Sequence, residues 1–364
     1  MSLMHLGLND FIEDRRFTMA QGKQKTKRKA PRLEIPSRTK LAERFEQMEG
    51  LRILVIGDVG IDRYTLGAVE RISPEAPVPI VRVQEERLKL GLAANVADNL
   101  KTFGAEPLLC GVIGKDRSGD DFKALLKGAN LSSKYLAVDA ARRTVLKERI
   151  VSERQQLLRV DYEDVHPVSK KLENALFAQI SSALKGSDSV ILQDYAKGMI
   201  SPAFARKIFE AAARSGNAVA VDPNAKSSLD FYRGALILTP NRSEAEALTG
   251  MKITDGTSLS EAGHRILSGT DAPHAVITLG KDGMALFERG RFEAEIIPTF
   301  AREVYDVSGA GDTVISMLNL ALTVGASVHE AATLGNLAAG VVVGKRGTAT
   351  VTPEEVIEYA ESLR

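Results

Sequence analysis

Four short apolar runs, each ending in polar residues and set among stretches of helical spacing, restrict this chain more than any other feature. Residues 189–192 run into Gln193-Asp194-Tyr195-Ala196-Lys197-Gly198, and 218–221 into Asp222-Pro223-Asn224. Residues 236–238 run into Thr239-Pro240-Asn241-Arg242-Ser243-Glu244, and 275–278 into Leu279-Gly280-Lys281-Asp282-Gly283. Helices are predicted near 169–185 and 202–215. Such β-branched runs, bounded by turn residues and alternating with helices, fold as parallel strands joined by crossovers. Polar residues at successive strand ends are how a doubly wound, mostly parallel α/β sheet builds a site. Upstream, 51–56 reads as a buried strand closed by a tight turn, Gly57-Asp58-Val59-Gly60, with Asp62 just beyond. Residues 108–112 form another, ending at Gly114. The G-x-x-G turn lacks the G-x-G-x-x-G of a dinucleotide fold and serves equally as plain chain reversal.

Other stretches break that rhythm. Residues 78–83 are strand-like but carry Pro79, which suits an edge strand. Residues 144–151 and 155–160, joined by the polar Ser152-Glu153-Arg154, read as a hairpin. Together they predict a small inserted antiparallel β lid, drawn from about 75–90 and 142–163, that covers a cleft or pairs with a second copy. Gly91-Leu92-Ala93-Ala94-Asn95 opens an alanine-rich helix to Phe103. Its small residues admit a ligand or, equally well, a packed neighbour. Residues 1–40 carry a basic block, Lys23, Lys25, Lys27, Arg28, Lys29 and Arg32. Without interleaved aromatics it reads as a solvated, disordered leader rather than a nucleic-acid arm. The folded domain is then 41–364, with a lead-in helix over 37–48.

Composition excludes more than it assigns. Of 364 residues 44% are hydrophobic, enough for one large α/β domain, and the net charge of +1 gives no field for nucleic acid or membrane. The single cysteine, Cys110, lies in an apolar run and reads as a small buried hydrophobe. No apolar run approaches the ~18 residues of a membrane span, and no signal-peptide core is present, so a cytoplasmic location is expected. There is no G-x-x-x-x-G-K-[ST] loop and no G-x-S-x-G elbow. His329-Glu330 is followed by Thr333 where a zincin helix needs its second histidine.

What remains favours phosphoryl transfer. In Asp306-Val307-Ser308-Gly309-Ala310-Gly311-Asp312-Thr313, small residues feed a helix start whose free amides suit an anion. An aspartate there would repel a phosphate merely held, but it suits a base that takes a proton while amides stabilise the transferring group. Taken alone, the stretch is equally a loop and helix cap. Asn241 and Glu244, three apart at a helix start, suit Mg²⁺ held through water, and equally suit a capping box. Asp222 and Asn224 could orient the same waters or form only a turn.

These stretches, with Asn95 and Thr278-Leu279-Gly280-Lys281-Asp282-Gly283, resemble the ribokinase (PfkB-type) carbohydrate kinases from about residue 51 onward. Arg71-Ile72-Ser73-Pro74-Glu75-Ala76-Pro77-Val78-Pro79, Asp194-Tyr195-Ala196-Lys197-Gly198 and the run from Asn336 to Lys345 are similar to the D-glycero-β-D-manno-heptose 7-phosphate kinases of lipopolysaccharide precursor synthesis. The resemblance implies ATP-dependent phosphorylation of the C1 hydroxyl. Asp312 would be the base and Gly309, Ala310 and Gly311 the anion hole. ATP would lie on Asn241, Arg242, Ser243, Glu244, Thr278, Gly280, Gly283, Ser308 and Asn336. Sugar would lie on Asp62, Gly91, Asn95 and Asp194, with Arg71, Arg142, Lys147 and Arg149 as candidates for its phosphate. Mg²⁺ would sit near Glu244, Asp222 and Asn224, and a monovalent cation near Asp306 and 344–347. A homodimer through the lid is also implied. With no His-x-Gly-His before Arg364, the kinase alone is expected, without a nucleotidyltransferase. Family members usually read Gly-Gly where this chain has Gly91-Leu92, which bears on sugar fit. Two alternatives stay open: another sugar or nucleoside kinase of the same fold, and a non-catalytic sugar- or nucleic-acid-binding regulator.

Overall fold

Alternation along one strand explains the layering. In β1 (Arg52–Gly57) every residue after Arg52 is buried, so both faces of the sheet are covered, as parallel sheets require. Leu54 and Ile56 join a cluster with Leu176, Ile180 and Phe204. Ile53 and Val55, one step out of phase, serve the opposite face. The computed structural model describes residues 35–152, 155–291, 293–345 and 347–364. The expected basic block lies outside the described residues. Helix α1 (Arg38–Met48) begins earlier than the expected domain start, because the Ser37 hydroxyl caps it by accepting the Lys40 N–H at 3.2 Å.

The chain leaves β1 in an unexpected way. Gly57-Asp58-Val59-Gly60 is no tight turn: after Asp58 the backbone continues directly into β2 (Val59–Ile72), a 14-residue strand. Its glycines serve close strand approach. A Cβ on Gly57 would lie 2.4 Å from Gln193 O, and one on Gly60 2.6 Å from Val145 O. β3 (Pro79–Leu92) returns along β2 and takes in Gly91 and Leu92, so helix α2 (Ala93–Thr102) starts later than expected. After β4 (Glu106–Gly114), α3 (Arg117–Gly128) and β5 (Leu136–Asp139), the expected hairpin forms from β6 (Val145–Ser152) and β7 (Gln155–Tyr162). The lid is thus four strands in the order β3-β2-β6-β7, antiparallel within each hairpin and parallel where β2 meets β6.

The rest follows the predicted rhythm. α4 (Lys170–Leu184), β8 (Ser189–Gln193), α5 (Pro202–Arg214), β9 (Val219–Asp222) and β10 (Ile237–Leu238) lead to α6 (Arg242–Thr249) and α7 (Gly256–Thr270). β11 (His274–Thr278) is followed by β12 (Met284–Glu288) and β13 (Glu295–Ile297), then α8 (Ala310–Thr323), α9 (Val328–Val342) and α10 (Pro353–Ser362). The nine-stranded sheet runs β13-β12-β11-β10-β9-β8-β1-β4-β5, antiparallel only at its β11–β12–β13 edge. α8 packs on β8 and β9, and against α2 and α9. Its N-terminus therefore lies at the strand ends where Gln193 and Asp222 emerge.

Candidate active site

The start of α8 is built differently from most helix starts in the chain. Its cap, Gly309, has φ 83° and offers no side-chain acceptor. A Cβ there would also come within 2.9 Å of Asn95 Nδ2, so glycine is required twice over. Asp312, three residues on, is aimed by other elements. Its Oδ2 accepts from Asn95 Nδ2 at 2.7 Å and its Oδ1 from the Tyr195 hydroxyl at 2.8 Å, with Gln193 Nε2 at 3.5 Å. Burial pushes the carboxyl up to about 6, against the hydrogen bonds from Asn95 and Tyr195. Tyr195 is a residue that sequence reasoning missed. It occupies the same strand end as Asp194, and adjacent side chains at a strand end point opposite ways.

Asp312 borders a cavity of about 270 Å³ whose other wall is the root of the lid. Lys147 and Arg149, two apart on β6, present the same face to it. Arg149 Nη1 donates to Asp62 Oδ1 at 2.6 Å, and the Thr348 hydroxyl to Asp62 Oδ2 at 3.2 Å. Lys147 Nζ stands 5.7 Å from the centre of the Tyr195 ring, and its pKa is lowered chiefly by burial. Gly91 does not line the cavity but backs Asp62, since a Cβ there would meet the Asp62 carboxyl at 3.2 Å.

A second cavity of about 500 Å³ adjoins the first, sharing Thr278 and Gly311. Gly280, Gly283, Val307, Ala339 and Asn336 line it, and Asn336 Nδ2 donates to Pro298 O at 2.7 Å. Gly309, Gly311 and Ser308 border the first cavity, whereas Ala310 borders the second, its N–H committed to Val307 O at 3.2 Å. Of the three expected anion-hole amides, then, Ala310 is already bonded.

Several expected residues lie elsewhere. Asp194 is enclosed, accepting from the Ala196 N–H at 2.8 Å and from the Ser227 and Tyr232 hydroxyls at 2.7 Å each; it braces a loop and borders neither cavity. Arg142 is buried against Asp139 and His166 O, and Arg71 is exposed towards the lid tip. Asn224 binds the Tyr232 hydroxyl and Lys226 N–H through its own N–H and Oδ1. Arg242 faces Ile253 O and Asp282, while Ser243 donates to Asn241 Oδ1 at 2.6 Å. Asn241 and Glu244 form the capping box and also border the acidic cavity. The capping box expected as one alternative for that pair is thus formed. Asp222 is pushed well above the usual carboxylate range by burial, and further by Glu244 and Asp312.

The chain is similar to several known proteins. The sequence profile described as pfkB family carbohydrate kinase matches residues 51–355. The bifunctional protein HldE of Wolinella succinogenes is 43% identical over 310 residues, 85% of this chain and 65% of that protein; the chain thus spans less than two thirds of this relative's length. Arabidopsis thaliana ribokinase complexed with ribose and ATP superposes with a TM-score of 0.68 at 18% identity, covering 86% of this chain and 99% of that one. Escherichia coli phosphofructokinase-2 in complex with potassium gives 0.70 at 19% identity, with coverage of 86% and 99%. These two establish a shared ribokinase-like fold.

Proposed function

We propose, from the premise that this chain belongs to the pfkB family of carbohydrate kinases, that it transfers the γ-phosphoryl group of ATP to the C1 hydroxyl of D-glycero-β-D-manno-heptose 7-phosphate. One observation carries the mechanism: the half-buried carboxylate of Asp312, held on both oxygens, borders the smaller cavity next to Gly311, which lines both cavities. The larger, more apolar cavity suits adenine and ribose, and the smaller, charged one suits the acceptor. Asp312 takes the C1 proton as that oxygen attacks in line, while the Gly309 and Gly311 amides face the transferring group. Asn95 and Tyr195 keep the carboxylate ionised and oriented. Asp62 accepts from sugar hydroxyls, and Lys147 and Arg149 supply the cations a distal phosphate needs.

The donor set also fits a divalent ion. Burial first, and then Glu244 and Asp312, raise the proton affinity of Asp222, and a cation would relieve the repulsion among these carboxylates. Among the described residues no group of three or more such side chains is arranged to bind an ion directly. Mg²⁺ would therefore be held through water by Glu244 and Asp222, where it neutralises charge on the ATP phosphates. Asn224, whose N–H and Oδ1 are taken, is left out. By analogy with the potassium complex of phosphofructokinase-2, the Asp306 loop is assigned a monovalent cation. The exposed Val69, Val83 and Leu158 of the lid suit contact with a second copy. No helix among the described residues is long and apolar enough to cross a membrane.

The test is ATP turnover against phosphorylated and free sugars, with product NMR to locate the new phosphate. Heptose 7-phosphate is expected to be the best acceptor, with phosphate added at C1. Equal use of free sugars would favour a different sugar kinase, and sugar-independent binding without turnover a regulator.

A further inference from the structure

Leu92 is the residue of the acceptor cavity whose backbone does not suit its side chain. At φ 57° and ψ −138° it occupies a region that glycine populates freely and leucine rarely. Both flanks hold it there: Leu92 pairs with Val59 at the end of β3, and the Ala93 N–H donates to Asp58 O at 3.1 Å as α2 begins. The side chain is 7% exposed, lies against Gly60 and borders the cavity beside Asp62, Tyr195 and Asp312. Among the described residues bordering that cavity, it is the one aliphatic side chain; the rest are polar, charged, aromatic with a hydroxyl, or glycine. A strained backbone with an apolar group set into a polar site calls for a functional account.

We propose that Leu92 determines acceptor specificity: its isobutyl group walls the cavity, admits the carbon face of a sugar and rejects acceptors that turn a hydroxyl towards it. This rests on the kinase assignment above. A hydroxyl against that wall loses water and gains no partner. Hydrophobic contacts penalise such a group about 10- to 100-fold in kcat/KM.

The experiment compares wild type, Leu92→Gly, Leu92→Ala and Leu92→Met on D-glycero-D-manno-heptose 7-phosphate, D-mannose 6-phosphate and the C2, C3 and C4 epimers of the latter. At least one epimer rejected by wild type is expected to gain about tenfold or more, relative to the best acceptor, in the Gly and Ala variants, while Met keeps the original selectivity. KM for ATP is expected to stay within about twofold. Leu92→Gly is expected to melt at or above Leu92→Ala, because glycine releases the backbone strain that alanine retains. Uniform loss across the panel would overturn the proposal, as would a glycine variant melting below the alanine one. A wild type that phosphorylates no sugar phosphate would instead remove the kinase assignment, and this proposal with it.

Discussion

The starts of α6 and α8 each carry an acid three residues after the cap and use it in opposite ways. In α6 the Glu244 N–H donates to Asn241 Oδ1 at 3.0 Å and the Asn241 N–H to Glu244 Oε2 at 2.8 Å, closing the box. In α8 the cap is Gly309, without a side chain, and Asp312 turns to Asn95 and Tyr195 instead. The cap decides the outcome. Given a side-chain acceptor, the helix satisfies its own amides and draws its acid back. Given glycine, no side chain among the described residues takes up the amides, of which only that of Ala310 is bonded, to Val307 O, and the acid is free to be aimed by Asn95 of α2 and Tyr195 past the end of β8. At α6 the acid closes its own cap, and at α8 it is held by residues from outside the helix.

Asp312→Asn is the harshest way to test that contrast. Removing a general base is expected to lower kcat by about 10²- to 10⁴-fold, while titration calorimetry still detects ATP and acceptor. Near wild-type turnover would end the base assignment. Stability should move the other way. Burial holds the folded Asp312 carboxyl at about 6, above its ordinary value of 3.8, so it stabilises the fold fully below its unfolded pKa, and that contribution is lost as pH rises through about 6. The urea midpoint is expected to fall less between pH 4 and pH 8 in the variant than in wild type, by an amount worth about 3 kcal/mol at most.

Tyr195→Phe deletes one hydroxyl donor to Asp312. Loss of a hydrogen bond to a charged group corresponds to about 10- to 100-fold in kcat. With wild type, kcat/KM is expected to fall below about pH 6, where Asp312 protonates. Since Tyr195 lowers that pKa, the variant's acid limb should move upward; an unmoved limb would reduce Tyr195 to packing. Asn241→Ala provides the counterpart at α6. It is expected to lose about 1 kcal/mol of stability, read from the urea midpoint, with kcat little changed. A large loss of kcat without loss of stability would erase the contrast between the two termini.

How much of this was legible beforehand depended on whether a residue's role is local. Strands 189–192 and 275–278, the hairpin and the Gly-Ala-Gly-Asp helix start follow from periodicity and turn chemistry, which neighbours in sequence determine. β2 was not legible, because Gly57 and Gly60 look like turn residues until Gln193 and Val145 are seen pressing on them. Asp194 and Tyr195 show the same limit within the site. Both stand at one strand end, and only the packing of Tyr232 and Ser227 around Asp194 reveals which is structural. The capping box was legible as spacing, and Asp222 was expected beside Glu244; both border the smaller cavity.

β2 has a mechanical meaning. It leaves the core at Val59, carries Asp62 near its root and ends at Ile72, pairing with β3 and with the β6 strand that bears Lys147 and Arg149. At about 3.3 Å per residue, the ten steps from Asp62 to Ile72 make an arm of roughly 33 Å. Asp62, Lys147 and Arg149, the groups proposed to hold the acceptor, therefore sit near the fulcrum of a long lever and its exposed tip at the far end. A tilt of a few degrees would sweep the tip through ångströms while Asp62 barely shifted, so such a cover could swing with little disturbance at its root.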